Sequence, residues 1–297
     1  MRTSKNVPAI VLALLAVFVF WGSTAPAIKV AVATLPPWYM ASVRFLVAGA
    51  ILWLYARIRG VPLPSVRDWR GAAITGTILL TLGNGMFAWC LQYIPSGLGS
   101  LFFALSPLWN AVIGAAFYRE RLSPLAIVGI AMGIGGMAYL VSPSAAEHLP
   151  LFPVVIATAT SIAWSVGSMI QRRYPATDFA QMSGMQMLVG CVELGLLGLL
   201  FRERLTPAEF TPAATASLVY LIIFGSIVGF SAYVWLARNV ETVLASTYSY
   251  VNPVVAIALA ALILHEPLTW HTVLGAVVIV LGVTLMMTQL RPKSALE

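Results

Sequence analysis

Ten apolar runs, each about as long as a bilayer is thick, follow one another along this chain with little between them. A helix needs about 20 apolar residues to cross the hydrocarbon. The runs occupy residues 7–28, 36–58, 69–92, 95–118, 123–141, 150–172, 179–201, 212–237, 240–264 and 268–290. They use most of the 297 residues and leave no stretch for a soluble domain. Hydrophobic residues make up 60% of the chain and charged residues 9%, where a soluble domain has about 45–50% and about 25%. That balance excludes a cytosolic enzyme, a disordered chain and a disulfide-stapled secreted domain. Lipid is the solvent for most side chains, so backbone polar groups must be satisfied within helices.

The first run follows Arg2 and Lys5, and Ala25-Pro26-Ala27 loosely mimics a signal-peptide cleavage site. The run is too long for that role and reads as a retained helix. Both cysteines, Cys90 and Cys191, lie inside apolar runs. They read as small buried hydrophobes rather than a disulfide or metal pair.

The net charge of +7 sits in short connections. It reads as orientation and contact with anionic lipid, not nucleic-acid binding. With the N-terminus inside, the cytoplasmic side carries Arg2, Lys5, Arg57, Arg59, Arg67, Arg70, Arg119, Arg121, Arg172, Arg173, Arg238, Arg291 and Lys293, 13 in all. The outside carries 3, Lys29, Arg202 and Arg204. The positive-inside rule then puts both termini in the cytoplasm.

The chain also repeats. At a shift of 146, Gly83 meets Gly229, Trp89 meets Trp235, Ser100 meets Ser246, Pro107 meets Pro253, Glu120 meets Glu266 and Gly136 meets Gly282. Trp21 meets Trp164 at a shift of 143. Two five-helix halves follow, residues 1–146 and 147–297. Because five is odd, the second half must run through the membrane in the opposite sense. Inverted repeats are a signature of secondary transporters, with the substrate site between them. The expected fold is therefore an all-α membrane protein of ten transmembrane helices in two inverted-topology repeats.

Ionisable residues deep in apolar runs are costly. Arg44 and Glu193 are the two, in runs of equivalent place in the two halves. Arg44 is a candidate anchor for a substrate carboxylate or a structural arginine; Glu193 is a candidate coupling acid or a neutral packing residue. A direct pair between them is not required. Glu266 precedes an apolar run and is expected to cap that following helix; Glu120 holds the matching place. Pro107 and Pro253 fall mid-run and are expected to hinge or kink runs four and nine. Asn84, Ser106, Asn110 and Asn252 are mid-run amides and hydroxyls that should face the interior. Trp38, Trp53, Trp69 and Trp270 lie near run ends and fit an interface belt. Tyr248 and Asn252 are four apart and share a helix face, as do Asn84 and Phe87. An aromatic cavity with a few amides suits a small organic metabolite. Gly129 and Gly133 form GxxxG, a close-packing motif for use within the chain or in a homodimer. No GxxxxGK[ST], GxSxG, HExxH or CxxC is present, so ATP driving, enzyme chemistry, metal and cofactor are not expected.

Phe20-Trp21-Gly22-Ser23, Ala163-Trp164-Ser165, Arg44-Phe45, Ser106-Pro107 with Arg119-Glu120-Arg121-Leu122, and Asn252-Pro253 with Glu266-Pro267-Leu268 together resemble the drug/metabolite transporter superfamily in its ten-helix, EamA-type form. The resemblance spans nearly the whole chain. It implies a bacterial inner-membrane carrier, most like exporters of amino acids, aromatic ones included. It also implies a central cavity lined by helices 1, 3, 4, 6, 8 and 9, which selects Trp21, Asn84, Trp164, Tyr233, Tyr248 and Asn252 as pathway residues. The expected partners are a small solute and the lipid bilayer. The expected activity is export by alternating access, secondary-active or facilitative. A multidrug exporter and a non-transporting membrane subunit are the alternatives.

Overall fold

The computed structural model describes residues 7–119, 122–141, 149–174, 178–240, 244 and 247–288. Among these the chain is helical and holds no strand. Seven helices are long and apolar enough to cross a membrane: α1 (Val7–Ala31), α2 (Pro37–Ile58), α3 (Val66–Cys90), α4 (Ser96–Phe117), α6 (Leu151–Gln171), α7 (Phe179–Leu200) and α8 (Pro212–Tyr233). Three apolar helices are shorter: α5 (Pro124–Leu140), α9 (Tyr248–Ile263) and α10 (Trp270–Met286). The outward faces of the helices, long and short, carry exposed Leu, Ile and Val, including Leu12, Ile51, Val192 and Leu262. Such faces suit lipid, where no polar cover is needed.

The helix starts are written in the sequence. Ser65 and Asp68 form a reciprocal capping box on α3. Ser123, Asp178 and Thr211 each accept a backbone N–H of the first turn of α5, α7 and α8. Pro37, Pro124 and Pro212 open their helices, where a missing N–H is harmless.

Four helices depart from single straight α-helices. α1 changes at Ser23, where Val7–Gly22 gives way to Thr24–Ala31. α4 breaks at Leu105, and Pro107 lies in the first turn of the new helix Ser106–Tyr118. Pro107 cannot donate to the Phe103 carbonyl; the Ser106 hydroxyl does so instead, at 2.7 Å. Run four is thus interrupted at its proline. Run nine is not: Pro253 stays inside the continuous helix Tyr248–Ile263. The other departures are π-helical segments, Thr77–Gly85 in α3 and Leu221–Val228 in α8. Wide turns of this kind are frequent at functional sites.

Packing is organised by exchange. α1 lies against α8 and α9, while α6 lies against α3 and α4. α2 packs along α7, with Gly49 on Gly184 and Gly198 on Tyr39, so the two run antiparallel. α5 packs along α10 in the same manner. A Cβ on Gly129 would stand 2.6 Å from the Gly282 carbonyl oxygen, and one on Gly136 3.3 Å from that of Gly275. The GxxxG motif is therefore filled inside this chain.

The acidic turn residue Glu266 caps a helix, but not the one that follows it. Its carboxylate accepts from Ser96 N at 2.7 Å, Ser96 Oγ at 2.7 Å and Gly97 N at 3.0 Å, all at the start of α4. The following helix is capped locally, by Thr269 Oγ1 accepting from Thr272 N. A turn acid can serve any helix start that tertiary packing brings near, which adjacency in sequence does not reveal. Glu203 likewise accepts from Trp38 N and Tyr39 N at the start of α2. Burial raises the pKa of this carboxyl, against the two N–H groups that lower it. Trp38 is not a belt residue: it is 5% exposed and stacks on Phe201 at 5.7 Å. Glu120 lies outside the described residues.

Candidate functional site

α1–α4 and α6–α9 surround one central cavity of about 150 Å³. That is room for about ten waters, or a solute of about as many heavy atoms. α5 and α10 contribute nothing to its lining.

Aromatic side chains reach the wall from six of these helices. Trp21 enters from α1, Phe87 from α3, Phe103 from α4, Trp164 from α6, Phe230 from α8 and Tyr248 from α9. The two tryptophans are those that the sequence aligns at a shift of 143. A Cβ on Gly229 would stand 2.7 Å from Trp21 Nε1, and one on Gly83 would stand 3.4 Å from Trp164 Cε3. Trp21 therefore lies over Gly229 and Trp164 over Gly83, the two glycines that the sequence aligns at a shift of 146. Trp21 also donates from Nε1 to the Gly225 carbonyl at 3.1 Å, a carbonyl of the second π-helical segment.

The polar part of the wall carries one formal charge. Arg44 is 4% exposed, eight residues into α2. Its Nε donates to Ser226 Oγ at 2.9 Å and its Nη1 to Asn84 Oδ1 at 3.4 Å. Both partners lie on the π-helical segments, one in each half. The Phe45 ring lies 5.3 Å from the guanidinium carbon. Thr24, Ser100, Ser106, Ser249 and Asn252 add neutral polar groups, and among the described residues no Asp or Glu belongs to the lining. The buried Oδ1 of Asn252 has no hydrogen-bond partner.

Of the residues singled out in the sequence, Trp21, Arg44, Asn84, Phe87, Ser106, Trp164, Tyr248, Asn252 and Pro253 line the cavity. Tyr233 does not. It stands behind the wall, its ring centroid 5.1 Å from Trp21 and 5.5 Å from Tyr248. Pro107 also lies off the lining. Glu193 is elsewhere: Thr77 Oγ1 and Thr81 Oγ1 donate to its two oxygens at 2.6 and 2.5 Å. Arg44 and Glu193 are thus not paired with each other. Arg44 instead ties to both π-helical segments, and Glu193 to the first, Thr77–Gly85. The sequence reading missed Ser226, Phe103, Phe230 and Ser249. Phe230 adjoins the matched glycine Gly229, the one signal that pointed to it.

A bundle of apolar helices around an aromatic, sparsely polar chamber has the build of a membrane transporter, and its relatives agree. The EamA-like transporter family matches this chain twice, over residues 8–142 and 151–288. The chain is 36% identical over 276 residues to the uncharacterized inner membrane transporter YedA of Escherichia coli K12, covering 92% of this chain and 89% of that one. It is 29% identical over 282 residues to a protein of Salmonella typhimurium named "Probable amino-acid metabolite efflux pump", covering 90% and 91%. A solved structure titled only "Crystal structure of protein" superposes with a TM-score of 0.68 over 97% of this chain and all of that one, at 21% identity. The chain belongs to the EamA-like transporter family of the drug/metabolite superfamily.

Proposed function

We infer that this protein exports amino acids or related small metabolites across the inner membrane by alternating access to its central chamber. One observation carries the reading: the chamber is walled by corresponding helices of both halves, with each half's tryptophan seated on the other's glycine. Two pseudo-equivalent halves around one site have two rocked arrangements of similar energy, one open to each side.

The proposed architecture is ten spans in two inverted repeats, residues 1–146 and 147–297, with both termini cytoplasmic. The antiparallel course of α2 against α7 and of α5 against α10 supports it. So does the double family match at 8–142 and 151–288. The excess of basic residues on one side supports the orientation. YedA's name supports the inner membrane, and the efflux-pump relative supports export of amino-acid metabolites.

Purified full-length protein in liposomes tests this. The expected result is saturable uptake or counterflow of at least one member of a panel of amino acids and their keto or acyl derivatives. Flux indistinguishable from protein-free liposomes across the panel would overturn the reading.

A further inference from the structure

Among the described residues, the interior cation Arg44 has no anion at ion-pair distance. The ion pair among the described residues joins Arg59 to Asp178 near helix ends, not Arg44. Burying a guanidinium without a partner costs several kcal/mol, and more in a membrane than at a surface. A guanidinium has five N–H donors. Here Nε and Nη1 are engaged by neutral side chains, and Nη2 makes no hydrogen bond among the described residues. Gly225 lacks the Cβ that would stand 3.2 Å from Nη2, so that amine is left clear. The group is also held in place. Ser226, Asn84 and the Phe45 ring fix its plane from α8, α3 and α2. A preorganised, uncompensated fork of donors suits a carboxylate, which accepts two parallel N–H bonds.

We propose that Arg44 is the counter-charge for a carboxylate on the carried solute, and that the chamber takes organic acids with an apolar, aromatic-sized body. This deepens the transport reading and rests on the chamber being the solute site. The rest of the wall is consistent in kind. Trp21, Phe103, Trp164 and Phe230 offer ring faces and edges to an apolar body. The lining has no carboxylate to receive an ammonium. A desolvated amine would meet neutral acceptors, such as the unpartnered Asn252 Oδ1. The carboxylate is therefore required and the amine dispensable. Amino acids are carried for their acid group, and cationic amphiphiles are excluded.

The test uses four probes of one shape: 3-phenylpropionate, its amide, phenethylamine and phenylalanine. Quenching of tryptophan fluorescence, with Trp21 and Trp164 in the wall, reads binding to the purified full chain; flux in liposomes is read separately. Phenylpropionate and phenylalanine should bind saturably within about threefold of each other. The amide and phenethylamine should be weaker by at least about tenfold, the loss of one charge-assisted bond. Arg44→Gln should weaken phenylpropionate by at least about tenfold, and Arg44→Lys by less. Equal binding of acid and amide by the unaltered protein overturns the proposal, so a misfolded Arg44→Gln cannot shield it. Absence of saturable binding by either acid overturns it too, as does phenylalanine binding tenfold tighter than phenylpropionate. Arg44-dependent binding with no flux supports the assignment of Arg44 and counts instead against the carrier reading.

Discussion

Single polar atoms in this interior fall into two kinds, those whose bonds are complete and those left open. Glu193 is of the first kind. Both its oxygens are engaged by threonine hydroxyls of the first π-helical segment, and it does not line the chamber. Glutamine can keep both contacts, accepting from Thr81 and donating to Thr77; leucine can keep neither. Glu193→Gln should leave thermal unfolding in detergent nearly unchanged and transport within about twofold, while Glu193→Leu should lose about 2 kcal/mol of stability. Loss of accumulation in the glutamine variant, with counterflow retained, would instead make Glu193 the coupling acid. Asn252 is of the second kind. Its buried Oδ1 has no partner, so Asn252→Leu should not lower the unfolding temperature, yet should raise the KM for transport. A fall in stability with unchanged KM would mean that the amide serves the fold. That Arg44, Glu193 and Asn252 are polar residues inside apolar helices was legible in the sequence, because a polar residue stands out in an apolar run. Their partners were not legible: Ser226, Thr77 and Thr81 are common helix residues that only packing singles out.

At the scale of helices, the runs themselves were readable, since twenty apolar residues in lipid have few alternatives to a helix. Their irregularities were readable only where a residue type enforces them. Pro107 announces the break in α4 by its missing N–H. The π-helical segments Thr77–Gly85 and Leu221–Val228 have no such signature. Each widens a turn by shifting hydrogen bonds one residue along, and any apolar residue tolerates that. Their reason is tertiary: they present Asn84 and Ser226 to Arg44 and bring Gly83 and Gly229 beneath the tryptophans. The two glycines are not equally tight. A methyl group at Gly229 would stand 2.7 Å from both Trp21 Cδ1 and Nε1, whereas at Gly83 the nearest approach to Trp164 is 3.4 Å, an ordinary contact. Gly229→Ala should therefore displace Trp21 from the Gly225 carbonyl and lower the transport rate severalfold, at the cost of about 1–3 kcal/mol in stability. Gly83→Ala should leave both within about twofold or 1 kcal/mol. Equal effects in paired transport and unfolding measurements would show that the matched sites are interchangeable.

For the molecule as a whole, the question is what holds the chamber's two ends. At the rim bearing Lys29, Glu203 and Glu266, bonds repeatedly cross between the halves. Glu266 reaches Ser96 and Gly97, Glu203 reaches Trp38 and Tyr39, and Ser217 donates to the Ala27 carbonyl. Thr34 donates to the Glu209 carbonyl. Lys29 adds a clasp inside the first half, donating to the carbonyls of Leu91 and Ile94 at 2.7 and 3.0 Å. If the orientation proposed from the basic residues holds, this rim faces outward, and opening the chamber to that side must break cross-half bonds. Glu266 is the most connected of them, bonding two backbone N–H groups and a hydroxyl at the start of α4. Its loss leaves those groups to water, which is available only in an open rim. The same substitution that weakens closure thus stabilises the opened state. Glu266→Ala should make a cysteine at the chamber wall, Ser100→Cys, react severalfold faster with a membrane-impermeant maleimide added outside intact cells. Glu266→Gln, whose one amide oxygen can still cap, should fall between. Unchanged labelling in Glu266→Ala would mean that the outer ends of α4 and α9 stay together by apolar packing alone. Faster labelling only in inverted vesicles would place this rim on the cytoplasmic side and reverse the proposed topology.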